Sequence, residues 1–445
     1  MRNGVLIIFS LLFYSFGEPV WVLLLVVSSA VDYLNGLFIE RHRGKKSAVL
    51  GVIVSLVFNL GVLVLFKYSG FIVTNINALT GLSIDVPKFS PPVGVSFYTF
   101  QTISYTVDVY RGKAPVQHSF FKFLLYVSMF FQLVAGPIVR YTDISEQLGK
   151  RPITAEDLSA GFSRFAFGLG KKVIIANCVG EAADLFLGFD KLPSSVLSAW
   201  SGIILFTLQI YFDFSGYSDM AIGLGRMFGF NLTENFNYPY ISRSATEFWR
   251  RWHISMGSFF RDYVYIPMGG NRRHQAVNLA VVWLLTGLWH GASWNFIIWG
   301  AYFGILVTAE KFFFGKALEK LPKFFSHLYL LIAVMFGWAI FYFEDLHALG
   351  SCLAGMFGGG NIPLIDDITV SRLEGICFVI IAAVILSCPV FPAVTNKLRT
   401  ASDKSKGTAI AVTVVYDVLV IAVFLVSSLL LVKQTTYNPF LYFRF

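Results

Sequence analysis

The sequence predicts an all-α polytopic membrane protein, and three observations carry that reading. Of 445 residues, 56% are hydrophobic and only 14% are charged, against about 25% charged in soluble globular chains. The chain therefore lacks the polar atoms to cover a water-facing surface, and its mean hydropathy is +0.66. Apolar runs of spanning length recur, and basic residues collect in the short loops between them. The 46 Phe and 20 Tyr suit lipid-facing and interfacial positions. Disorder, collagen and a disulfide scaffold are excluded by the same numbers. The net charge of +9 could suggest nucleic acid, but its distribution follows the positive-inside rule, so no nucleic-acid partner is expected. Cys178, Cys352, Cys377 and Cys388 show neither CxxC nor metal-ligand spacing. They read as buried thiols, and no metal site is expected.

The elements follow in order. Val5–Phe16 resembles a signal peptide in hydropathy but lacks a small-residue cleavage site. A second apolar stretch, Val20 to Phe38, follows at once, so the two read as a helical hairpin turning at Gly17-Glu18-Pro19. Arg41, Arg43, Lys45 and Lys46 then form a cytoplasmic anchor. Further apolar segments lie near 48–66, 120–136, 161–187, 196–215, 276–309, 327–343, 373–392 and 408–432. Lys311, Lys316, Lys320 and Lys323 place one loop inside. Loop 344–371 carries Glu344, Asp345, Asp366 and Asp367 without Lys or Arg and belongs outside. Lys397, Arg399, Lys404 and Lys406 return the chain to the cytoplasm, so the last span puts the tail from Lys433 to Phe445 on the outer face. Gly358-Gly359-Gly360 reads as an outer-loop turn, since no strand precedes it and no lysine follows as in a phosphate loop. The chain reads as one membrane domain over 1–445, with core motifs at about 94–310 and an aromatic tail at 433–445.

Two segments do not behave as ordinary spans. Ala276 to Ala309 contains 34 residues without a formal charge, too many for one span of about 20 residues and too few for two. Basic flanks at Arg272-Arg273 and Lys311 want both ends on one side. A re-entrant pair turning at Trp289 to Asn295 satisfies both demands and places His290 near mid-membrane depth. An ionisable side chain there marks function by default, the competing reading being a neutral histidine bonded to a carbonyl. The second segment is Ser244 to Val264, where Ser244-Ala245-Thr246-Glu247 fits a capping box. At helical spacing Trp249, Trp252, His253, Met256, Phe260 and Tyr263 share one face, and Glu247, Arg251, Ser255, Ser258 and Asp262 the other. Its charges forbid a normal span, so an interfacial helix is expected. His253 is then the ionisable group on the apolar face, with a packed core histidine as the alternative. A third polar cluster runs from Tyr211 to Asp219. Its two aspartates are six residues apart and not adjacent on a helix, which favours structural hydrogen bonding over a shared-proton pair.

Several long strings, agreeing in order over nearly the whole chain, resemble bacterial membrane-bound O-acyltransferases. They are Ser96 through Gly112, Gln132 through Arg140, Tyr211 through Gly223, Asn237-Tyr238-Pro239-Tyr240-Ile241-Ser242-Arg243, Glu247 through Ser255, Phe260-Arg261-Asp262-Tyr263 and Gly287-Leu288-Trp289-His290-Gly291. The run Ile266-Pro267-Met268-Gly269-Gly270-Asn271-Arg272 resembles the alginate and peptidoglycan O-acetyltransferase branch. The resemblance implies a ring of roughly ten or eleven transmembrane and re-entrant helices around a central tunnel. It implies that His290 is the active-site histidine and His253 the second histidine of the bacterial branch. It also implies a bacterial cytoplasmic membrane location and transfer of an acetyl group from a cytoplasmic thioester, acetyl-CoA or another, with no bound cofactor. The group is destined for an exported or cell-envelope polysaccharide, with an extracytoplasmic SGNH-type acetyltransferase as partner.

No G-x-S-x-G elbow is present, which favours histidine as a general base on an acceptor hydroxyl over a serine acyl-enzyme. The tail, Asn438-Pro439-Phe440-Leu441-Tyr442-Phe443-Arg444-Phe445, resembles C-terminal motifs of envelope acylation systems that carry the acyl group on a tyrosine. A phenol of pKa about 10 forms an ester that keeps much of a thioester's transfer potential, which makes Tyr442 the candidate carrier. The competing reading of the tail is an interfacial aromatic anchor. Two other functions remain open at this point: a D-alanyl or other acyl transferase serving teichoic acid-type polymers, and a transporter. No inverted repeat or charge relay supports the latter.

Overall fold

Peptide groups inside a bilayer have no water to bond, so long apolar runs fold as helices that pair their own N–H and C=O groups. The computed structural model describes residues 2–134, 136–188, 193–402, 405–433 and 440–441, and every regular element among them is helical. The first are α1 (Arg2–Gly17), α2 (Trp21–Arg41), α3 (Ala48–Leu63), α4 (Ser69–Thr80), α5 (Val95–Tyr110), α6 (Phe120–Ser128) and α7 (Tyr141–Ile144). Next come α8 (Ala155–Gly170), α9 (Asn177–Leu187), α10 (Val196–Met227), α11 (Ala245–Arg251), α12 (Ile254–Phe260), α13 (Gln275–His290) and α14 (Trp294–Ala309). The chain continues through α15 (Gly315–Lys320), α16 (Lys323–Tyr342), α17 (Leu346–Met356), α18 (Asp367–Gly375), α19 (Cys377–Leu386), α20 (Val390–Ser402) and α21 (Lys406–Lys433). Single π-helical turns carry α3 into α4, α8 into α9 and α14 into α15 without a break.

Among the described residues, six helical stretches are long and apolar enough to cross a membrane: Trp21–Arg41, Ala48–Thr80, Val196–Met227, Trp294–Lys320, Lys323–Tyr342 and Lys406–Lys433. The pair α18–α19, bent by 62°, makes a seventh if counted as one span. The all-α polytopic class is therefore observed, and the N-terminal hairpin turns where expected. Two segments differ from expectation. The stretch 120–136 is no span, because α6 stops at Ser128 and none of the described residues between there and Pro137 is helical; proline lacks an N–H and disfavours helix before it. The stretch 161–187 is helical throughout, but it is tied down by Arg164, Lys171 and Lys172, each ion-paired to a carboxylate of α10.

The chain divides into two compact units, Met1–Phe162 with Ala221–Glu234 and Ser258–Met268, and Ser163–Met220 with Asn235–Gly257 and Gly269–Phe445. In the first, α2, α3 and α5 pack together around a buried polar knot. Asn59 Nδ2 donates to Asp32 Oδ2 at 2.7 Å and to the Ser55 carbonyl at 2.9 Å. Thr106 Oγ1 donates to Asp32 Oδ1 at 3.3 Å, and Thr102 Oγ1 to Asn59 Oδ1 at 3.2 Å. A carboxyl inside apolar surroundings is tolerated only with such partners. The strings around Asp108, Arg140 and Tyr263 also meet in this unit. Tyr263 Oη donates to Asp108 at 2.6 Å, Arg140 pairs with Asp262 at 2.8 Å, and the Arg140 guanidinium lies 5.2 Å from the Tyr263 ring centre.

Asn59→Leu strips a donor from the buried Asp32 and leaves Thr102 only its bond to the Thr99 carbonyl. The expected loss is about 1–3 kcal/mol, seen as a lower thermal midpoint of the purified protein in detergent.

Candidate active site

The charge-free residues 276–309 form two helices, α13 and α14, that break at Gly291–Ser293 and pack against one another. The expected turn beside His290 is therefore present. The second arm, however, does not end at Lys311. It runs through the π turn Glu310–Phe314 and α15 to Lys320, 27 residues in all, and has the length of a complete span. Only α13 is short: its 16 residues rise about 24 Å against about 30 Å of hydrocarbon.

Glycines set how closely the arms approach. A Cβ on Gly300 would sit 3.1 Å from the Gly287 Cα, and one on Gly287 would overlap the Phe296 carbonyl. A Cβ on Gly291 would enter the Phe296 ring. The glycines on either side of Leu288-Trp289-His290 thus permit backbone-to-backbone packing that seats the histidine against α14. The His290 ring, 6% exposed, lies 4.9 Å from Trp289, 4.9 Å from Trp299 and 5.2 Å from Phe341, centre to centre.

The second segment departs from the expected continuous helix. α11 ends at Arg251, His253 adopts a left-handed backbone with φ 46°, and α12 starts at Ile254. The physical reason lies with Asn235. Its carbonyl accepts the Ile254 N–H at 2.9 Å, and its Oδ1 accepts the Ser255 N–H at 3.3 Å and the Ser255 hydroxyl at 2.8 Å. Those donors would otherwise continue the helix. Ser244 Oγ caps α11 through Glu247 N at 3.0 Å, as the capping box predicts. The return bond from Glu247 reaches Arg243 N at 3.0 Å instead of the cap residue itself.

Asn235 also sets the tautomer of His253. Because Oδ1 already accepts from a backbone N–H, the neutral ring must donate to it from Nδ1, at 3.0 Å. The lone pair is then on Nε2, which has no hydrogen-bond partner among the described residues. The ring is fully buried and packs on Phe214 at 4.7 Å and Trp289 at 5.8 Å. Trp289 therefore touches both histidines.

A cavity of about 30 Å³ opens beside His290, walled by Asp213, Phe214, Trp252, Trp299 and Trp338. His253 does not line it. Phe440 and Leu441 of the C-terminal tail also line it. Tyr442, the expected acyl carrier, lies outside the described residues; the residue preceding it in the chain is at the cavity. Asp213 and Asp219 share no bond with each other. Asp219 pairs with Arg164 at 2.8 Å and Lys171 at 2.6 Å, the structural role expected for it, whereas Asp213 pairs with Lys172 and faces the cavity.

Two contributors were not legible in the sequence. Asn235 lies 18 residues before His253, outside any local spacing rule. Glu310 is buried, and its carboxylate accepts from Ala245 N at 2.6 Å, Thr246 N at 2.8 Å, Thr246 Oγ1 at 2.6 Å and Tyr329 Oη at 3.0 Å. It fixes the first turn of α11, which carries Trp249 onto Trp283, Trp299 and Phe303. The one signal for it was an acidic residue placed directly after 34 uncharged ones.

Sequence comparison supplies the class, a membrane acyltransferase. The chain belongs to the membrane-bound O-acyltransferase (MBOAT) family, whose profile matches residues 9–353. It is 36% identical, over an alignment 465 positions long, to a probable alginate O-acetylase of Pseudomonas putida, covering 100% of this chain and 94% of that protein. To a peptidoglycan O-acetyltransferase of Helicobacter pylori it is 34% identical, over 81% of this chain and 74% of the relative. A teichoic acid D-alanyltransferase of Bacillus subtilis is 28% identical over 57% of this chain and 69% of its own.

Burial, the cause of the shift, depresses the His253 ring from an ordinary 6.5 to about 3; the residue lies outside the spanning stretches. The unfolded ring takes a proton below pH about 6.5, while the folded ring stays neutral until about 3. Its contribution to stability is therefore complete above pH about 6.5 and is lost progressively as pH falls. At pH 5 the expected loss is about 2 kcal/mol. Thermal midpoints in detergent between pH about 7 and 5 should fall for the native protein, and less steeply for His253→Gln.

Proposed function

We propose that this acyltransferase is an O-acetyltransferase of the bacterial cytoplasmic membrane. It takes acetyl from a cytoplasmic thioester such as acetyl-CoA and passes it outward for O-acetylation of an exported or cell-envelope polysaccharide. The observation that carries the reading is the cavity beside His290, into which the chain's own C-terminal segment inserts Phe440 and Leu441. The alginate and peptidoglycan relatives match at 36% and 34%, whereas the D-alanyltransferase matches at 28% over less of the chain. That order favours acetyl over D-alanyl.

His290, which lines the cavity, acts as general base on the acceptor hydroxyl. His253, with a fixed tautomer, packs on Trp289 and on Phe214, and serves to position Phe214 in the cavity wall. The first acceptor is the Tyr442 phenol. His290 removes the phenolic proton, the phenolate oxygen attacks the thioester carbonyl, the C–S bond breaks, and the thiolate recovers the proton. The thiol leaves readily, with a pKa of about 8.5 against about 10 for the phenol. The acetyl-tyrosine then transfers to a sugar hydroxyl through an extracytoplasmic SGNH-type acetyltransferase.

Purified protein incubated with acetyl-CoA should gain the mass of one acetyl group, mapped to Tyr442; gain from a D-alanyl carrier alone would favour the second reading. His290→Ala is expected to lower transfer at least a hundredfold with normal membrane insertion, measured by single-turnover labelling. Tyr442→Phe should abolish polysaccharide acetylation in cells while protein level and donor binding stay normal.

A further inference from the structure

The tail could meet the cavity by apolar contact alone, but its attachment is more specific. Asp213 on α10 is buried in the cavity wall, its side chain 2% exposed. One carboxylate oxygen, Oδ1, is ion-paired with Lys172 Nζ. The other, Oδ2, accepts the backbone N–H of Leu441 at 2.6 Å. The preceding residue, Phe440, is 7% exposed and sits in an aromatic slot on the same face of α10. Its ring lies 5.0 Å from Tyr217 and 6.0 Å from Phe214, and the Lys172 ammonium is 5.9 Å from its centre.

A buried charge pair is weak evidence for stability, because desolvation offsets most of the attraction. Its value lies in what it can hold. Lys172 holds Asp213 Oδ1 and leaves Oδ2 turned to the backbone donor, and a carboxylate makes a stronger bond to a backbone N–H than a neutral acceptor does. A main-chain bond with one aromatic slot recognises position along the chain, as a strand-end clamp does. We infer that Asp213 and Lys172 form a docking clamp that holds the C-terminal segment at the His290 cavity through Leu441. This rests on the reading that the tail takes the acyl group. Asp213 is a positioning residue: it holds the acceptor segment and takes no part in the proton transfer.

The test uses the full chain in lipid nanodiscs and reads amide hydrogen exchange at Leu441 together with single-turnover acetyl transfer from acetyl-CoA. Asp213→Leu combined with Lys172→Met removes the acceptor and its counter-charge together, so that no buried charge is stranded. Phe440→Ala alters the tail alone. Both are expected to speed Leu441 exchange at least tenfold and slow transfer at least tenfold, while the acetyl-CoA concentration for half-maximal rate stays within twofold. Asp213→Asn keeps an acceptor oxygen and should recover part of both losses. Unchanged Leu441 exchange in the paired variant overturns the clamp. So does a loss of donor affinity that matches the loss of rate. Exchange that accelerates as expected, in a protein whose native form never acquires acetyl at Tyr442, upholds the clamp and overturns the carrier reading instead.

Discussion

Polar groups enclosed in this apolar protein must find their partners in the chain itself, and that requirement organises each unit. In one, Asp32 is satisfied by Asn59 and Thr106, which ties α2, α3 and α5 together. In the other, Asp219 collects Arg164 and Lys171, and Asp213 collects Lys172, so a charged helix is held against α10. Glu310 receives the first amides of α11. Each pairing is costly to leave half-made, so each carboxylate dictates which elements adjoin it.

The site follows from the same rule applied to histidine. A neutral imidazole needs one donor satisfied and leaves one lone pair, and Asn235 arranges this for His253 by accepting from Nδ1. The cost is a left-handed residue and a broken helix, both supported by Asn235's own backbone and side chain. Around His290, glycines at 287, 291 and 300 bring α13 and α14 close together and aromatic rings pack on the imidazole. The wall beside it is rich in tryptophan, with Trp252, Trp299 and Trp338 lining the cavity.

Much of this was legible in the sequence because the signals were local. The charge-free run of 34 residues announced a break near His290, and the serine cap of α11 was readable from Ser244 and Glu247. The break at His253 was not. Helical spacing from Ser244 to Val264 is good, and the group that interrupts it comes from Asn235, through tertiary bonds that no periodicity reports. The arm beyond Ala309 was likewise misjudged, because charges at Glu310 and Lys311 look like an end. In the fold Glu310 is buried with four donors, and the helix passes it through a π turn.

The sequence by itself determined the class: its hydropathy admits only membrane helices, its strings assign the MBOAT family, and two histidines stand out as misplaced polarity. Tertiary structure alone decided which nitrogen of His253 carries the proton, which carboxylate faces the cavity and where the tail is attached. Asp213 and Asp219 are equivalent on paper, six residues apart on one helix. They differ only because a 32-residue helix turns one toward Arg164 and Lys171 and the other toward Lys172 and Leu441. Composition and spacing act along the chain, whereas a hydrogen bond spanning 228 positions exists only after folding has brought its ends together.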